Sequence, residues 1–258
     1  MISKHLLIID PQNDFCDPKG ALYVPGATTD IINVSNFITK DIDQIHITLD
    51  THNQIDISHP IWWVDKNKRH PDPFTIITYD DIENEKWTTT IPQFFTRSKE
   101  YVKTLEQSGK YSLCIWPLHC LQGTWGHAIP DTLCMSLREW ETNFRVVNFI
   151  HKGMNPWTEH YSAIKAEVID PSDKSTLTND GLIRILKHEA DEIFICGEAS
   201  SHCVASTIRD IIKEFNSAEL CSKIRYMRNC CSPVPGFNNL EEQLLEDCEQ
   251  SGIKIIEI

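Results

Sequence analysis

The sequence predicts a doubly wound α/β fold: a mostly parallel six-stranded sheet with helices on both faces. Three observations predict it. Six short apolar runs recur along the chain, each the length of a strand, and several are apolar on both faces, as buried parallel strands are. Segments with apolar residues at helical spacing lie between them. No internal repeat, low-complexity tract or Gly/Ser linker interrupts the alternation, so residues 1–258 read as a single domain, long enough for a real core.

In chain order the strands are expected at "LLIID" (6–10), "QIHITLD" (44–50), "RVVNFIHK" (145–152), "EIFICG" (192–197), "KIRYMRN" (223–229) and "IKIIEI" (253–258). Helices are expected over 27–40, 131–143, 178–189, 202–216 and 238–250, where apolar residues recur every three or four positions. Residues 51–115 break the rhythm. They hold "HPIWWVDKNKRHPDPF" (59–74) and several Trp and Pro, with one helical candidate at 98–109. A stretch this long is a functional insertion or lid, at about 60–115, and the aromatics of 62–74 with Trp87 imply that it packs on something.

Composition excludes several classes. The net charge is −13 and no Lys/Arg cluster supplies the basic stripe a nucleic-acid partner needs. The apolar run Leu6–Ile9 is too short for a signal segment, and no run reaches transmembrane length, so no membrane role is expected. Ten cysteines are scattered without close, regular pairing, which predicts reduced thiols in a cytoplasmic protein, most of them small buried hydrophobes. No CxxC occurs, which argues against a structural zinc ribbon.

The strand ends carry the chemistry. The first strand ends in Asp10, the second in Asp50 with His52 two residues on, the third in Lys152, and the fourth in Gly197 shortly before Cys203. In a parallel sheet these endings share one edge, where such folds place their sites. A Cys attacks as thiolate and needs help to ionise. Cys203 gains it from the start of the 202–216 helix, from the charge of Lys152, and from Asp10 as general base. Free backbone N–H groups at that helix start offer an oxyanion hole. His202 is a rival base, but adjacent helical residues do not face each other.

Asp50 and His52 alternate at a strand end and point the same way if the chain stays extended. With His119, between Pro117 and Cys120, they form an Asp/His/His set that leaves positions open for water or substrate. His59 is a weaker fourth candidate, and Asp56 competes for that place. His46, His70, His127 and His160 have no such context and read as surface or core.

Together these segments resemble the isochorismatase-like cysteine hydrolases, and within them the nicotinamidase branch. "IIDPQNDFCDPKGAL" (8–22) resembles the family's opening, "TLDTH" (48–52) its metal segment, and "WPLHCLQGTWGHAI" (116–129) its Trp-Pro-x-His-Cys-x-x-Gly-Thr signature. "HKG" (151–153) resembles the segment carrying the catalytic lysine, and "GEASSHCV" (197–204) the nucleophile turn. The motifs occur in family order over about residues 5 to 258. The resemblance implies the isochorismatase-like hydrolase fold and a metal-containing amidase that takes a small carboxamide, above all nicotinamide, to its acid and ammonia. It implies Cys203 as nucleophile with Asp10 and Lys152, and an oxyanion hole from the amides of Ala199 and Cys203 after a cis Glu198–Ala199 peptide. It implies metal ligands Asp50, His52 and His119 for zinc, with iron or manganese as other choices. It implies ring contacts from Phe15, Trp116 and Tyr161, and a homo-oligomer. Three positions depart from the family pattern: Glu198 stands where a small or aliphatic residue is usual, Ser200 for Thr, and Thr51 for an aromatic. The alternatives are a related cysteine hydrolase of another amide, carbamoyl compound or ureide, and a non-enzymatic metal-binding protein on a decayed hydrolase fold.

Overall fold

The computed structural model describes residues 2–39 and 41–258. Its main sheet is built from β1 (Lys4–Ile9), β2 (Gln44–Asp50), β3 (Asn148–Lys152), β4 (Glu192–Gly197), β5 (Ile224–Met227) and β6 (Lys254–Ile256), in the order β6-β5-β4-β1-β2-β3. Every pairing is parallel. The two central strands are the most apolar: Leu6 to Ile9 of β1, and Ile193, Ile195 and Cys196 of β4, are fully buried.

The helices are α1 (Ala27–Phe37), α2 (Asp131–Glu141), α3 (Asp180–His188), α4 (Cys203–Phe215) and α5 (Asn238–Ser251). The steps β1→β2→β3 and β4→β5→β6 run in opposite directions. Right-handed crossovers therefore put α1 and α2 on one face and α3, α4 and α5 on the other, and the contacts agree: α1 packs on α2, and α4 packs on both α3 and α5. The switch in direction lies between β1 and β4, so the carboxyl ends of those strands open the crevice that doubly wound sheets use for ligands.

Expected and observed elements differ at their ends. β3 starts at Asn148, opposite His46, and residues 145–147 stay outside the ladder with β2. β5 stops at Met227, where Arg228–Cys230 tightens into a 3₁₀ turn. The helix expected over 27–40 ends at Phe37, with Ile38 already extended, and Lys40 lies outside the described residues.

The insertion folds around its own aromatics. A helix over Phe95–Gln107, a short one over Tyr79–Glu83 and two antiparallel ribbons surround Trp62, Trp63, Tyr101, Val102 and Leu105. The Trp62 indole N–H donates to Ser98 Oγ at 2.9 Å and that of Trp63 to the Ile57 carbonyl at 2.7 Å, so both rings are buried without an unmet donor. Phe74, half exposed, meets the edge of Trp116 at 5.9 Å between ring centres and joins the insertion to the loop that carries His119.

One buried acid gives a stability prediction. The Glu167 carboxyl is enclosed, with Lys110 Nζ at 3.6 Å. Burial pushes its pKa from 4.5 up to about 7, Asp210 and Glu159 add to the rise, and Lys110 opposes it. A carboxyl whose folded value is raised lends stability below its unfolded value, and that stability is lost as pH rises through the folded value. Glu167→Gln is therefore expected to exceed the parent by about 3 kcal/mol at pH 8, the gap closing as pH falls from about 7 to 4.5. Denaturant unfolding at the two pH values measures it; a gap independent of pH would contradict the assignment.

Candidate active site

The ends of β1, β2 and β3 and the start of α4 converge. Asp50 lies opposite Lys152, and Ile9 opposite Gly197. Gly197 has φ +115°, and a Cβ there would stand 2.0 Å from the Ile9 carbonyl oxygen, so only glycine lets the nucleophile turn press against β1. Asp10 also turns left-handed, at φ +44°. Its amide donates to Thr48 Oγ1 at 3.0 Å and its Oδ1 accepts from the same hydroxyl at 2.6 Å, which fixes the carboxyl in the crevice.

Lys152 is the hub. Its Nζ lies 2.8 Å from Asp10 Oδ2, 3.2 Å from Asp50 Oδ1 and 3.6 Å from Cys203 Sγ, and it donates to the His160 carbonyl at 2.8 Å. All four side chains are buried. Burial raises the Asp10 pKa and Lys152 opposes the rise. Burial alone would lower that of Lys152, but Asp10 and Asp50 carry it well above its ordinary value. The sequence led us to expect a thiol already eased toward thiolate. Instead burial holds Cys203 well above its ordinary value, Lys152 offsets only part of this, and the nearby carboxylate of Asp10 adds to the rise. The arrangement is a thiol with its proton acceptor in place, flanked by a cation that favours the thiolate once the proton moves.

The turn before α4 contains the cis Glu198–Ala199 peptide. The Ala199 carbonyl accepts from the amides of His202 at 3.0 Å and Val204 at 3.1 Å. Among the described residues no acceptor faces the amides of Ala199 and Cys203. Both residues line the cavity, and Cys203 opens the helix whose start favours negative charge. His202 does not serve Cys203. Its Nδ1 is 2.9 Å from Ser201 Oγ, its ring stacks on Tyr111, and burial pushes its pKa down to about 3.

Beside this cluster the donor atoms of Asp50, His52 and His119 lie within 4.8 Å of one another. Asp50 Oδ2 is 3.0 Å from His52 Nε2 and 3.4 Å from His119 Nε2. The loop bearing His119 is stitched to the end of β2: the His52 amide donates to the Cys120 carbonyl and the Gln122 amide to that of His52, both at 3.1 Å. The Cys120 amide donates to Asp14 Oδ2 at 2.6 Å. Asp56 lies behind His52, 3.1 Å from Nδ1, and accepts from Ser58 through its other oxygen. That contact directs His52 Nε2 at Asp50. Likewise His119 Nδ1 lies 2.9 Å from the Pro117 carbonyl, which turns its Nε2 toward Asp50. His59 is adjacent, its ring 5.2 Å from His52 and 5.8 Å from His119 between centres. Its buried Nε2 has no partner, and burial lowers its pKa to about 4, so the ring is a neutral donor.

A narrow cavity opens over Cys203, walled by Phe15, Leu22, Trp116, Tyr161, His202 and Val234, with Asp50, His119, Glu159 and Ala199 on its lining. The three expected ring contacts all reach it. Trp116 Nε1 donates to Tyr161 Oη at 3.1 Å and to Glu159 Oε2 at 3.2 Å. Glu159 is a residue that sequence reasoning missed. It is buried, burial raises its pKa, and its other oxygen has no partner. It also lies with His52 and Asp56 in a second group of mutually close donor atoms. Gln12 was missed as well; its side chain brackets the Asp50 backbone, accepting from the amide and donating to the carbonyl, both at 2.7 Å. Of the histidines read as surface or core, His160 contributes its carbonyl to Lys152, and His127 bonds Thr51 Oγ1 at 2.9 Å. His46 pairs with His5 at 3.2 Å near the opposite end of the sheet, and His70 bonds the Trp63 carbonyl within the insertion.

No protein-family profile matches the chain. The nicotinamidase of Saccharomyces cerevisiae is 24% identical over 259 residues, covering 98% of this chain and 99% of the yeast protein. An Acinetobacter baumanii nicotinamidase/pyrazinamidase structure superposes with a TM-score of 0.67 at 23% identity, over 100% of this chain and 97% of the other. A Pyrococcus horikoshii pyrazinamidase in complex with zinc superposes with a TM-score of 0.56 at 22% identity, over 99% of each chain. The chain has the isochorismatase-like hydrolase fold, and over almost its whole length it is similar to nicotinamidases in both sequence and structure.

Proposed function

We propose that this chain is a metal-containing cysteine amidase that hydrolyses nicotinamide to nicotinate and ammonia. One observation carries the reading: Cys203 lines a narrow aromatic cavity with Asp50 and His119, and Lys152 Nζ, 3.6 Å from its sulfur, joins it to Asp10 Oδ2 at 2.8 Å. In this reading Asp10 takes the thiol proton while Lys152 stabilises the thiolate. The sulfur attacks the carboxamide carbon; the C–S bond forms as the C=O π electrons move to oxygen, where the Ala199 and Cys203 amides receive them. Asp10 returns the proton to nitrogen as the C–N bond breaks, and ammonia leaves. Water, losing a proton to Asp10, then adds to the thioester, and the C–S bond breaks to release the acid and restore the thiol.

Asp50, His52 and His119 would hold a divalent cation, with His59 as a further donor. The unpartnered buried Nε2 of His59 and the three converging donor atoms fit such an ion. When bound it supplies a Lewis acid at the edge of the cavity. Imidazole with one carboxylate suits zinc, iron or manganese, and the zinc-bound pyrazinamidase neighbour favours zinc. The same reading includes a homo-oligomer and a cytoplasmic location. Ten unpaired thiols suit a reducing compartment, and no helix among the described residues is long and apolar enough to cross a membrane.

The test is ammonia release from nicotinamide by purified protein, before and after chelation, with zinc, iron or manganese added back. Turnover that falls with chelation and returns with one of these ions is expected. A stoichiometrically metal-loaded protein without turnover would move the substrate to another amide, and full activity without metal would remove the ion from the reaction.

A further inference from the structure

We propose that Glu198 is a positioning residue: its carboxyl, held by Asp30 and Ser232, fixes the turn that presents the Ala199 amide to the reacting carbonyl. The inference rests on the amidase reading above. Position 198 is where the sequence departs from the small or aliphatic residue of the resemblance, and the structure buries this carboxyl completely. An isolated carboxylate does not survive there at neutral pH. The charged groups acting on it, Asp30 and Glu241, are both acidic, and its charge adds to burial in raising the thiols of Cys16, Cys196, Cys230 and Cys231. The carboxyls of Glu198 and Asp30 are hydrogen-bonded to each other, which requires a proton between them. Glu198 Oε2 accepts from the Ser232 amide at 3.3 Å, while the equally buried Oε1 meets no donor.

The network ends on the turn. Ser232 Oγ donates to Asp30 Oδ2 at 2.5 Å, and the Ser232 carbonyl accepts from the Ser200 amide at 2.9 Å. Ser232 therefore anchors both neighbours of Ala199, one through a side chain and one through the backbone. The Glu198 amide is tied to the Ile9 carbonyl at 2.8 Å, at the end of β1. Asp30 sits in the first turn of α1, whose cap, Gly26, lies so close that a Cβ would stand 2.3 Å from Ser232 Oγ. Three elements thus meet behind one peptide that lines the cavity. A residue that served only to fill space there would have no need of a shared proton.

The experiment compares Glu198→Leu and Glu198→Gln with the parent, measuring kcat and KM on nicotinamide, thermal unfolding and metal content. A misplaced oxyanion donor lowers the chemical step, so Glu198→Leu is expected to lose kcat about tenfold or more with KM changed less than about twofold. Gln can accept from the Ser232 amide and donate to an ionised Asp30, so Glu198→Gln is expected to stay within about threefold of the parent. If Glu198→Leu does not fold, Ser232→Ala, which removes the bond to Asp30, must lower kcat at constant KM. A folded Glu198→Leu with parental kcat, or a Gln variant as impaired as Leu, overturns the assignment while leaving the amidase reading intact. A parent without turnover overturns that reading and this inference together.

Discussion

Cys203→Ala is expected to lower ammonia release from nicotinamide by about four orders of magnitude or more, with metal content and fold unchanged. The size follows from the chemistry. Without sulfur there is no thioester, and among the described residues no other thiol or hydroxyl bonds the Lys152 ammonium. What remains is a cavity, two polarising amides and whatever water they admit. The structural cost is small, since one buried sulfur is lost from a site that already opens on the cavity. Stopped-time ammonia assays and thermal unfolding of the same preparation separate the two effects. The other cysteines provide the control: Cys196, Cys230 and Cys231 are buried away from Lys152, and burial holds each thiol above its ordinary value, so replacing any of them by Ala is expected to touch stability before activity. Parental turnover in Cys203→Ala would remove the nucleophile assignment outright.

The strands and the reactive side chains at their ends were legible in the sequence for one physical reason. Buried parallel strands need continuous apolar runs, and the polar residue that closes such a run has to stand at the rim. Asp10, Asp50 and Lys152 are visible in this way, and the distance from Gly197 to Cys203 is short enough for the turn to bring the sulfur back to them. The supporting residues were not legible. Glu159 lies in an irregular segment between Lys152 and α3, where no periodicity places it, and it reaches the cavity because that segment folds back beneath the insertion, with Tyr101 Oη holding the Glu159 amide at 3.1 Å. Gln12 acts on the backbone of Asp50, a contact set by the pitch between β1 and β2. The thiol's resting state also escaped the sequence. Counting the charges near Cys203 predicts an easily ionised thiol, and only the degree of burial shows that desolvation outweighs Lys152.

That balance makes Lys152 the second decisive position. Lys152→Met replaces the cation with a neutral side chain of similar length and leaves Asp10 and Asp50 facing each other out of water. Two consequences are expected. Activity falls by about three orders of magnitude or more, because the thiolate loses the charge that stabilises it as the proton leaves. Stability falls by about 3–5 kcal/mol in the metal-free protein, the usual penalty for breaking a buried ion pair from one side. The two losses have different cures. Adding Asp10→Asn to Lys152→Met removes one of the opposed carboxylates, so the double variant is expected to recover much of the stability and none of the activity. Zinc, if it binds through Asp50 as proposed, would neutralise the other carboxylate, so the stability loss in the single variant is expected to be smaller with zinc than without it. Unfolding free energies for the four proteins of the Asp10/Lys152 cycle, each with and without zinc, measure this directly. A single variant as stable as the parent would mean that the two carboxylates share a proton when the lysine is gone, and an active one would mean that the thiol ionises without help from Lys152.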